Sequence, residues 1–415
     1  MSGDKLITLT NAANRAFQDG NFNQALSLYH TAIQLYPTNS ILYSNRSAIF
    51  LRLKRFHESL DDAKQAILLS PKWAKGYFRE GDALRGVGKF DEAIFAYCKS
   101  LAIENGIETI KALKESLRYS LIKDHLSVLL DEIENDGVKL DSFLIISLIG
   151  QEYLAFDHIT EAVGLLQLAL DIDEAKVASL DLKNSVVGAI SFAYYQQKNY
   201  NQAMKYLKIQ LEISAKLGEA DKQLAIYSSI VNIALQNDQI ILAIDYLKEQ
   251  IELIHLNGKD TTDQRLSLAD LYIQLGQYEQ AAQIIATIGS STFQSILEIV
   301  KLKVAEGDNM AALEYCNELR RLSNTADERA LATVLKCKCL LLRNDTTMAL
   351  NILQKTVAQF ENDEPTAEIV GQFFGILSEC YLAAGQYCMA RKWAKKELKV
   401  ATNNGSLKLE ADALR

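Results

Sequence analysis

Proline is nearly absent from this chain, at three in 415 residues. Proline has no N–H and blocks helix continuation, so its scarcity suits a nearly all-helical protein. Long apolar runs are missing too. The most aliphatic stretch, Phe143 to Ile149 with Ser147 inside it, falls far short of the roughly 20 residues a spanning helix needs, so no membrane insertion is expected. The six cysteines are Cys98, Cys316, Cys337, Cys339, Cys380 and Cys388, and none forms a C-x-x-C pair. Cys337 and Cys339 are two apart and point to different helix faces. Ordinary thiols in a reducing compartment are expected, not a metal site or disulfides. The five histidines are isolated, and none has an H-E-x-x-H partner. There is no glycine-rich phosphate loop, G-x-S-x-G or EF-hand loop; Gly86-Val-Gly88 reads as a helix-hairpin turn. With no nucleophile–base set, the expectation is a protein that is not an enzyme and uses no cofactor or metal. Basic charge is in deficit overall, at net −8. Residues 1–105 hold 13 basic against 10 acidic side chains, and the remainder 31 against 42. Such an acidic chain is a poor match for nucleic acid or anionic membrane. The start, Met1-Ser-Gly-Asp-Lys, has no apolar h-region. No secretory leader is expected, and the expected location is cytoplasmic.

What is present is a repeat. Pro37 and Pro71 lie 34 residues apart, and so do other positions in the same phase. Ala25, Ser59 and Ala93 form one series; Tyr29, Ala63 and Tyr97 form a second; Ala32, Ala66 and Ser100 form a third. Small residues let paired helices approach, and bulky ones fill the gap between pairs. The interval holds two short helices and two turns, and it is the tetratricopeptide period. Repeats are expected over about 6–39, 40–73 and 74–107. Each second helix starts after a polar turn: Asp19-Gly-Asn, Lys54-Arg and Gly88-Lys. Residues 106–136 break the period, with a stripe of Ile107, Ile110, Leu113 and Leu117 to cap the third repeat and a turn at Asp136-Gly137. A second series starts near Leu140, in phase at Gly150, Tyr153, Ala162 and Ala169. Its further anchors are Ala203, Ala243, Ala281, Ala312, Ala349 and Ala390, spaced 41, 40, 38, 31, 37 and 41 from Ala162 onward. The extra residues are expected to lengthen the second helix and its turn, as in Ile213-Ser-Ala-Lys-Leu-Gly. The expected organisation is 1–136, three 34-residue repeats plus linker helices, and 137–415, about seven longer repeats. The last stretch, from Thr402 to Arg415, resembles Ala215-Lys-Leu-Gly-Glu-Ala-Asp, so the expectation is either that this helix closes the array or that the chain is part of something longer. The expected fold is an all-α right-handed superhelix of helical hairpins.

One constellation reads as a site. Lys75 and Arg79 are four apart on the first helix of repeat three and share a face. Asn45 sits in Tyr43-Ser-Asn-Arg-Ser on the first helix of repeat two, and Asn14 in Ala13-Asn-Arg-Ala on that of repeat one. Two cations and two amides converging on one groove suit a carboxylate. Asn45 and Arg79 also share one repeat position, so interhelical packing and a groove turned to another peptide stay open as readings.

These residues resemble the two-carboxylate clamp of co-chaperone tetratricopeptide domains. The family pattern is Lys-x-x-x-Asn, then Asn, then Lys-x-x-x-Arg; Asn14, Asn45, Lys75 and Arg79 match it, and Thr10 stands where the pattern has lysine. The resemblance implies binding of the acidic Glu-Glu-Val-Asp tails of heat-shock 70 and heat-shock 90 chaperones. A second resemblance, carried by Leu148-Ile-Gly-Gln-Glu-Tyr-Leu and the repeats ending in Ala-Lys-Leu-Gly, is to the long non-enzymatic tetratricopeptide scaffolds of the mitotic spindle midzone and midbody. It implies a cytoskeletal or spindle association. The regular Asn-Leu-Gly signature of related spindle scaffolds is replaced here by Ser228-Ser-Ile-Val-Asn and Leu266-Ser-Leu-Ala-Asp.

Overall fold

A computed structural model describes residues 2–122, 141–172, 179–289, 292–357 and 365–404. The described residues form 21 α-helices, and the all-α architecture of helical hairpins is as expected. The first three hairpins are α1 (Ser2–Gln18) with α2 (Phe22–Leu35), α3 (Ser40–Arg52) with α4 (Phe56–Leu69), and α5 (Ala74–Val87) with α6 (Phe90–Ile103). A single helix, α7 (Ile107–Leu117), follows. Next come α8 (Ser142–Ala155) with α9 (Ile159–Leu170), and α10 (Leu180–Gln196) with α11 (Tyr200–Leu217). Then come α12 (Ala220–Gln236) with α13 (Ile240–Leu256), and α14 (Thr262–Gln274) with α15 (Tyr278–Ile288). The last are α16 (Phe293–Glu306) with α17 (Asn309–Leu322), α18 (Ala326–Leu342) with α19 (Thr346–Val357), and α20 (Ala367–Ala383) with α21 (Tyr387–Asn404). The chain divides into two compact units, 1–226 and 227–415.

Local chemistry explains where the helices stop. Tyr36 and Ser70 precede the two prolines and have φ of −136° and −145°. Proline disfavours the helical region for the residue before it, so α2 and α4 end there. The turn inside every hairpin follows one rule. A residue with left-handed φ lies five positions before the second-helix anchor: Gly20, Lys54 and Gly88 in the first three, then Asp157, Lys198, Asp238, Gly276, Gly307, Asn344 and Gly385. Half of these are not glycine. Asn and Asp tolerate this region best among the rest, and a turn held at both ends by packed helices accommodates Lys54 and Lys198. The anchors themselves, from Ala25 to Ala349, are wholly buried, and Ala390 is nearly so.

The anchors are small because the paired helices touch. In the second hairpin Ser47 Oγ bonds the Ser59 carbonyl at 2.9 Å, and Ser59 Oγ returns a bond to the Ser47 carbonyl at 3.0 Å. The same 12-residue separation recurs where Ser378 Oγ donates to the Ala390 carbonyl at 2.9 Å. At Gly81, one period after Ser47, a Cβ would fall 2.5 Å from the Tyr97 ring. Around Ala203 both helices lengthen and not only the second: α10 and α12 have 17 residues and α11 has 18, against 14 in α5 and α6, whereas α14 and α15 have only 13 and 11.

In the first unit one apolar core runs from Leu84 to Ile190. Leu113 and Leu117 of α7 are buried in it, whereas Ile107 is 72% exposed, so the expected capping stripe is narrower than four residues. Tyr153 of α8 donates to Asp91 Oδ1 of α6 at 2.6 Å. The change in repeat length expected at 136/137 thus lies inside this unit. Gly86 belongs to α5, not to the turn, and sits against the Phe56 ring. Of Gly86-Val-Gly88 only Gly88 has left-handed backbone. The expected Asp136-Gly137 turn, the series start near Leu140 and residues 405–415 lie outside the described residues. Five of the six cysteines are buried, and none is in a disulfide. No described helix is long and apolar enough to cross a membrane.

Candidate peptide-binding site

The 34-residue period sets equivalent residues of α1, α3 and α5 side by side. Asn14, Asn45 and Arg79 come together along a cavity of about 650 Å³. The cavity exists because three first helices present the same face in succession, each held by its own second helix.

A tyrosine joins the two amides. Tyr29 on α2 donates its hydroxyl to Asn14 Oδ1 at 2.5 Å, and Asn45 Nδ2 donates to the Tyr29 oxygen at 3.1 Å. This relay fixes which end of each amide faces which way. The Asn14 carbonyl is occupied by Tyr29, so its N–H groups are the ones left for a ligand. Burial pushes the Tyr29 hydroxyl above its ordinary pKa, with the Asn45 bond acting against it. The phenol therefore stays protonated and the donor order is maintained.

The rest of Tyr43-Ser-Asn-Arg-Ser turns away from the cavity. Ser47 interlocks with Ser59, and Arg46 pairs with Asp62 of α4 through two bonds of 2.7 Å. A bidentate arginine–carboxylate pair is geometrically demanding, so it fixes the orientation of α3 on α4.

Arg79 is half-buried and its Nε makes no hydrogen bond. Its Nη1 donates to Asp82 Oδ2 at 3.3 Å. Asp82 also accepts the Tyr97 hydroxyl at 2.9 Å and lies 3.6 Å from Arg85. Burial raises the Asp82 carboxyl above its ordinary pKa, while Tyr97, Arg79 and Arg85 pull it back. The cavity therefore carries Arg52, Arg79 and Arg85 against one carboxylate, a cationic surplus in a recess lined by amides. Arg85 also reaches out to Glu115 of α7. Tyr97 and Asp82 stand two periods after Tyr29 and Asn14, so the same tyrosine bond recurs with a carboxylate in place of an amide.

Lys75 is exposed and lies outside the cavity lining. Desolvation lowers its ammonium, and the nearby Arg79 charge lowers it further. Thr10 also lies outside the lining. Its hydroxyl donates back to the Leu6 and Ile7 carbonyls of its own helix at 2.9 and 3.1 Å. It offers the groove neither charge nor a spare donor. Sequence reasoning missed Tyr29, Arg52, Asp82 and Arg85 as members. Tyr29 was visible as a repeat tyrosine, but its hydroxyl contact crosses between helices and has no linear signature. No group of three His, Cys, Asp or Glu side chains fit to hold a metal occurs among the described residues.

The tetratricopeptide repeat family model matches residues 74–106 and 265–286, so the chain carries tetratricopeptide repeats in both units. It is 33% identical over 220 residues to tetratricopeptide repeat protein 28 of Mus musculus, a span covering 53% of this chain and 9% of that protein. It is 43% identical over 99 residues to the Hsp70-Hsp90 organizing protein of Triticum aestivum, covering 24% and 17% respectively. The chain thus spans less than a fifth of either relative. Among solved structures, the first tetratricopeptide domain of Spaghetti bound to the HSP90 peptide SRMEEVD is 29% identical, with 27% of this chain and 90% of that one covered and a TM-score of 0.27. The chain thus contains tetratricopeptide repeats at the matched residues and is similar to tetratricopeptide proteins over about half of its length.

Proposed function

We propose that the first three hairpins bind the free C-terminus of an acidic extended peptide, and that the chain is non-enzymatic. The observation that carries this is the Asn14–Tyr29–Asn45 relay beside Arg79, whose Nε lacks a partner. Amide N–H groups and an arginine lining one recess suit a carboxylate, which accepts up to four bonds. Asn14, Asn45, Lys75 and Arg79 supply these donors, and Thr10 supplies none. Candidate ligands are the Glu-Glu-Val-Asp tails of heat-shock 70 and 90 chaperones, since the relatives include an Hsp70-Hsp90 organizing protein. On this reading the chain works as a cytoplasmic adaptor. Calorimetry with a free-acid Glu-Glu-Val-Asp peptide and its amide is the test. The free acid should bind and the amide should bind at least roughly tenfold more weakly, because one charge-assisted bond contributes about 1.5–3 kcal/mol. Equal affinities, or no binding at millimolar peptide, would rule the reading out.

A second reading is favoured by Thr10 and Asp82. The hydroxyl of Thr10 is engaged within its own helix, and the Asp82 carboxylate lies inside the cavity next to Arg79. Both weaken the site for acidic tails. A cytoskeletal or mitotic scaffold whose groove takes a different peptide fits those features and the likeness to tetratricopeptide repeat protein 28. Affinity capture with the full chain separates the two. Chaperone tails bound through Lys75 and Arg79 support the first, and midzone or tubulin-associated partners indifferent to Lys75→Met support the second.

A further inference from the structure

The second unit has its own cavity, of about 770 Å³, lined in part by the first helices of successive hairpins, α12, α14 and α16. Its charge is opposite to that of the first. Asp238, Asp263, Asp270 and Glu298 face it, against the single cation Lys301. Acidic residues on a surface are ordinarily just solvated. One of these is not on the surface. Glu298 is 5% exposed, and although its Oε1 takes Lys301 Nζ at 2.7 Å, no N–H or O–H reaches its Oε2. A buried carboxylate oxygen without a donor is costly. The fold keeps it at the wall of an open cavity.

Lys301 occupies a telling place. Its ammonium sits between Glu298 and Asp270, 2.8 Å from Asp270 Oδ1, and its side chain is 37% exposed. Gln274 Nε2 holds the other Asp270 oxygen at 2.7 Å. Two carboxylates on neighbouring first helices are thus braced around one cation, and that cation belongs to a flexible side chain with a route to solvent. Burial, and then the Asp270 charge, raise the Glu298 carboxyl above its ordinary range, against the pull of Lys301.

We propose that this cavity seats the lysine or arginine side chain of an extended basic peptide, which takes the place the Lys301 ammonium now holds. The incoming cation bonds Glu298 and Asp270 as Lys301 swings outward. An arginine fork reaches both Glu298 oxygens, including the one Lys301 leaves without a donor. Asn232 and Gln294 project from the flanking first helices into the same cavity. Their amides both donate and accept, which suits the alternating N–H and C=O groups of an extended backbone. The site goes beyond the N-terminal groove and does not depend on what that groove binds.

The test is fluorescence anisotropy of the full chain with a labelled nine-residue peptide of alternating Arg and Ser at low salt. Saturable binding is expected. Glu298→Gln should weaken it roughly tenfold or more, the loss of one charge-assisted bond. Glu314→Gln, an exposed acid outside the cavity, should change it less than about twofold. Lys301→Met removes the internal competitor and should tighten binding several-fold. No saturable binding, or an equal loss in Glu298→Gln and Glu314→Gln, overturns the proposal in favour of general attraction to an acidic surface. Where Glu298→Gln lowers the melting temperature, Lys301→Met decides, and unchanged or weaker binding by that variant overturns the proposal.

Discussion

The two units build their hairpins by one rule and fill their grooves with opposite chemistry. In each, a left-handed residue stands five positions before a buried small anchor, whether the hairpin begins the chain or ends it. Spacing from anchor to anchor is a constant 34 at the start and ranges from 31 to 41 from Ala162 onward. The turn-to-anchor offset does not vary, because it is set by the first turn of the second helix and its contact with the first. Repeat length does vary, because helices lengthen at their far ends without disturbing that contact. The residues facing the groove are freer still. Arg79 and Arg85 flank Asp82 in one cavity, which Arg52 also lines, and Asp270 and Glu298 surround Lys301 in the other. The comparison teaches that hairpin geometry and groove charge are separable, since one is fixed between paired helices and the other by side chains that no helix pair needs.

The strongest way to break the comparison is at the helix contact. Gly81→Ala places a methyl group against the Tyr97 ring and should cost about 2 kcal/mol, in the range for overpacked interiors. Gly88→Ala, with open space around it and φ of +86°, should cost about 1 kcal/mol through backbone strain alone. Urea unfolding of both variants measures the ratio, and a larger loss at Gly88 would mean that the turn and not the contact governs the hairpin.

A loss of similar size is expected in binding. Lys75→Met should reduce affinity for an acidic free-acid peptide roughly tenfold while leaving the melting temperature unchanged, because the side chain is exposed. Titration calorimetry paired with a melting curve reads both quantities. An equal loss in melting temperature would assign Lys75 to folding.

Thr10→Lys should act in the other direction and more weakly. It adds a cation at the groove and should tighten the same peptide several-fold, with a steeper salt dependence since one more exposed ion pair is screened. Unchanged affinity at low salt would show that α1 does not present position 10 to the ligand.

The smallest effect concerns protons. Asp82 is raised above its ordinary 3.8 by burial, so between the ordinary and raised values the folded protein holds a proton that the unfolded chain has released. Ionised Asp82 thus costs stability above its native pKa, and protonation relieves that cost as pH falls through the native value toward 3.8. Relative to Asp82→Asn, which does not titrate, the native protein should gain stability as pH is lowered through this window. Paired melting curves at successive pH values check the slope. A gap that moves the other way would mean that Arg79 and Arg85 outweigh burial.

Much of this was legible before any coordinates. Proline scarcity and the 34-residue phase indicate paired helices, since both follow from backbone chemistry that acts within a few residues. The anchors from Ala25 to Ala390 could be read along the whole chain, because a position where two helices touch admits only small side chains. Lys75 and Arg79 share a face by their spacing of four, and Asn14 and Asn45 join them through the first helices they sit on and the resemblance to the clamp pattern. Other features could not. Tyr29 links Asn14 to Asn45, and Asp82 tempers Arg79, through contacts between helices that have no fixed interval in sequence. Thr10 spends its hydroxyl on its own backbone. Glu298 and Asp270 meet around Lys301 from different helices. Periodicity belongs to the chain, because each helix and turn is determined by its neighbours in sequence. Charge balance within a groove belongs to the packed molecule, because only tertiary structure decides which side chains share one low-dielectric recess and which face water.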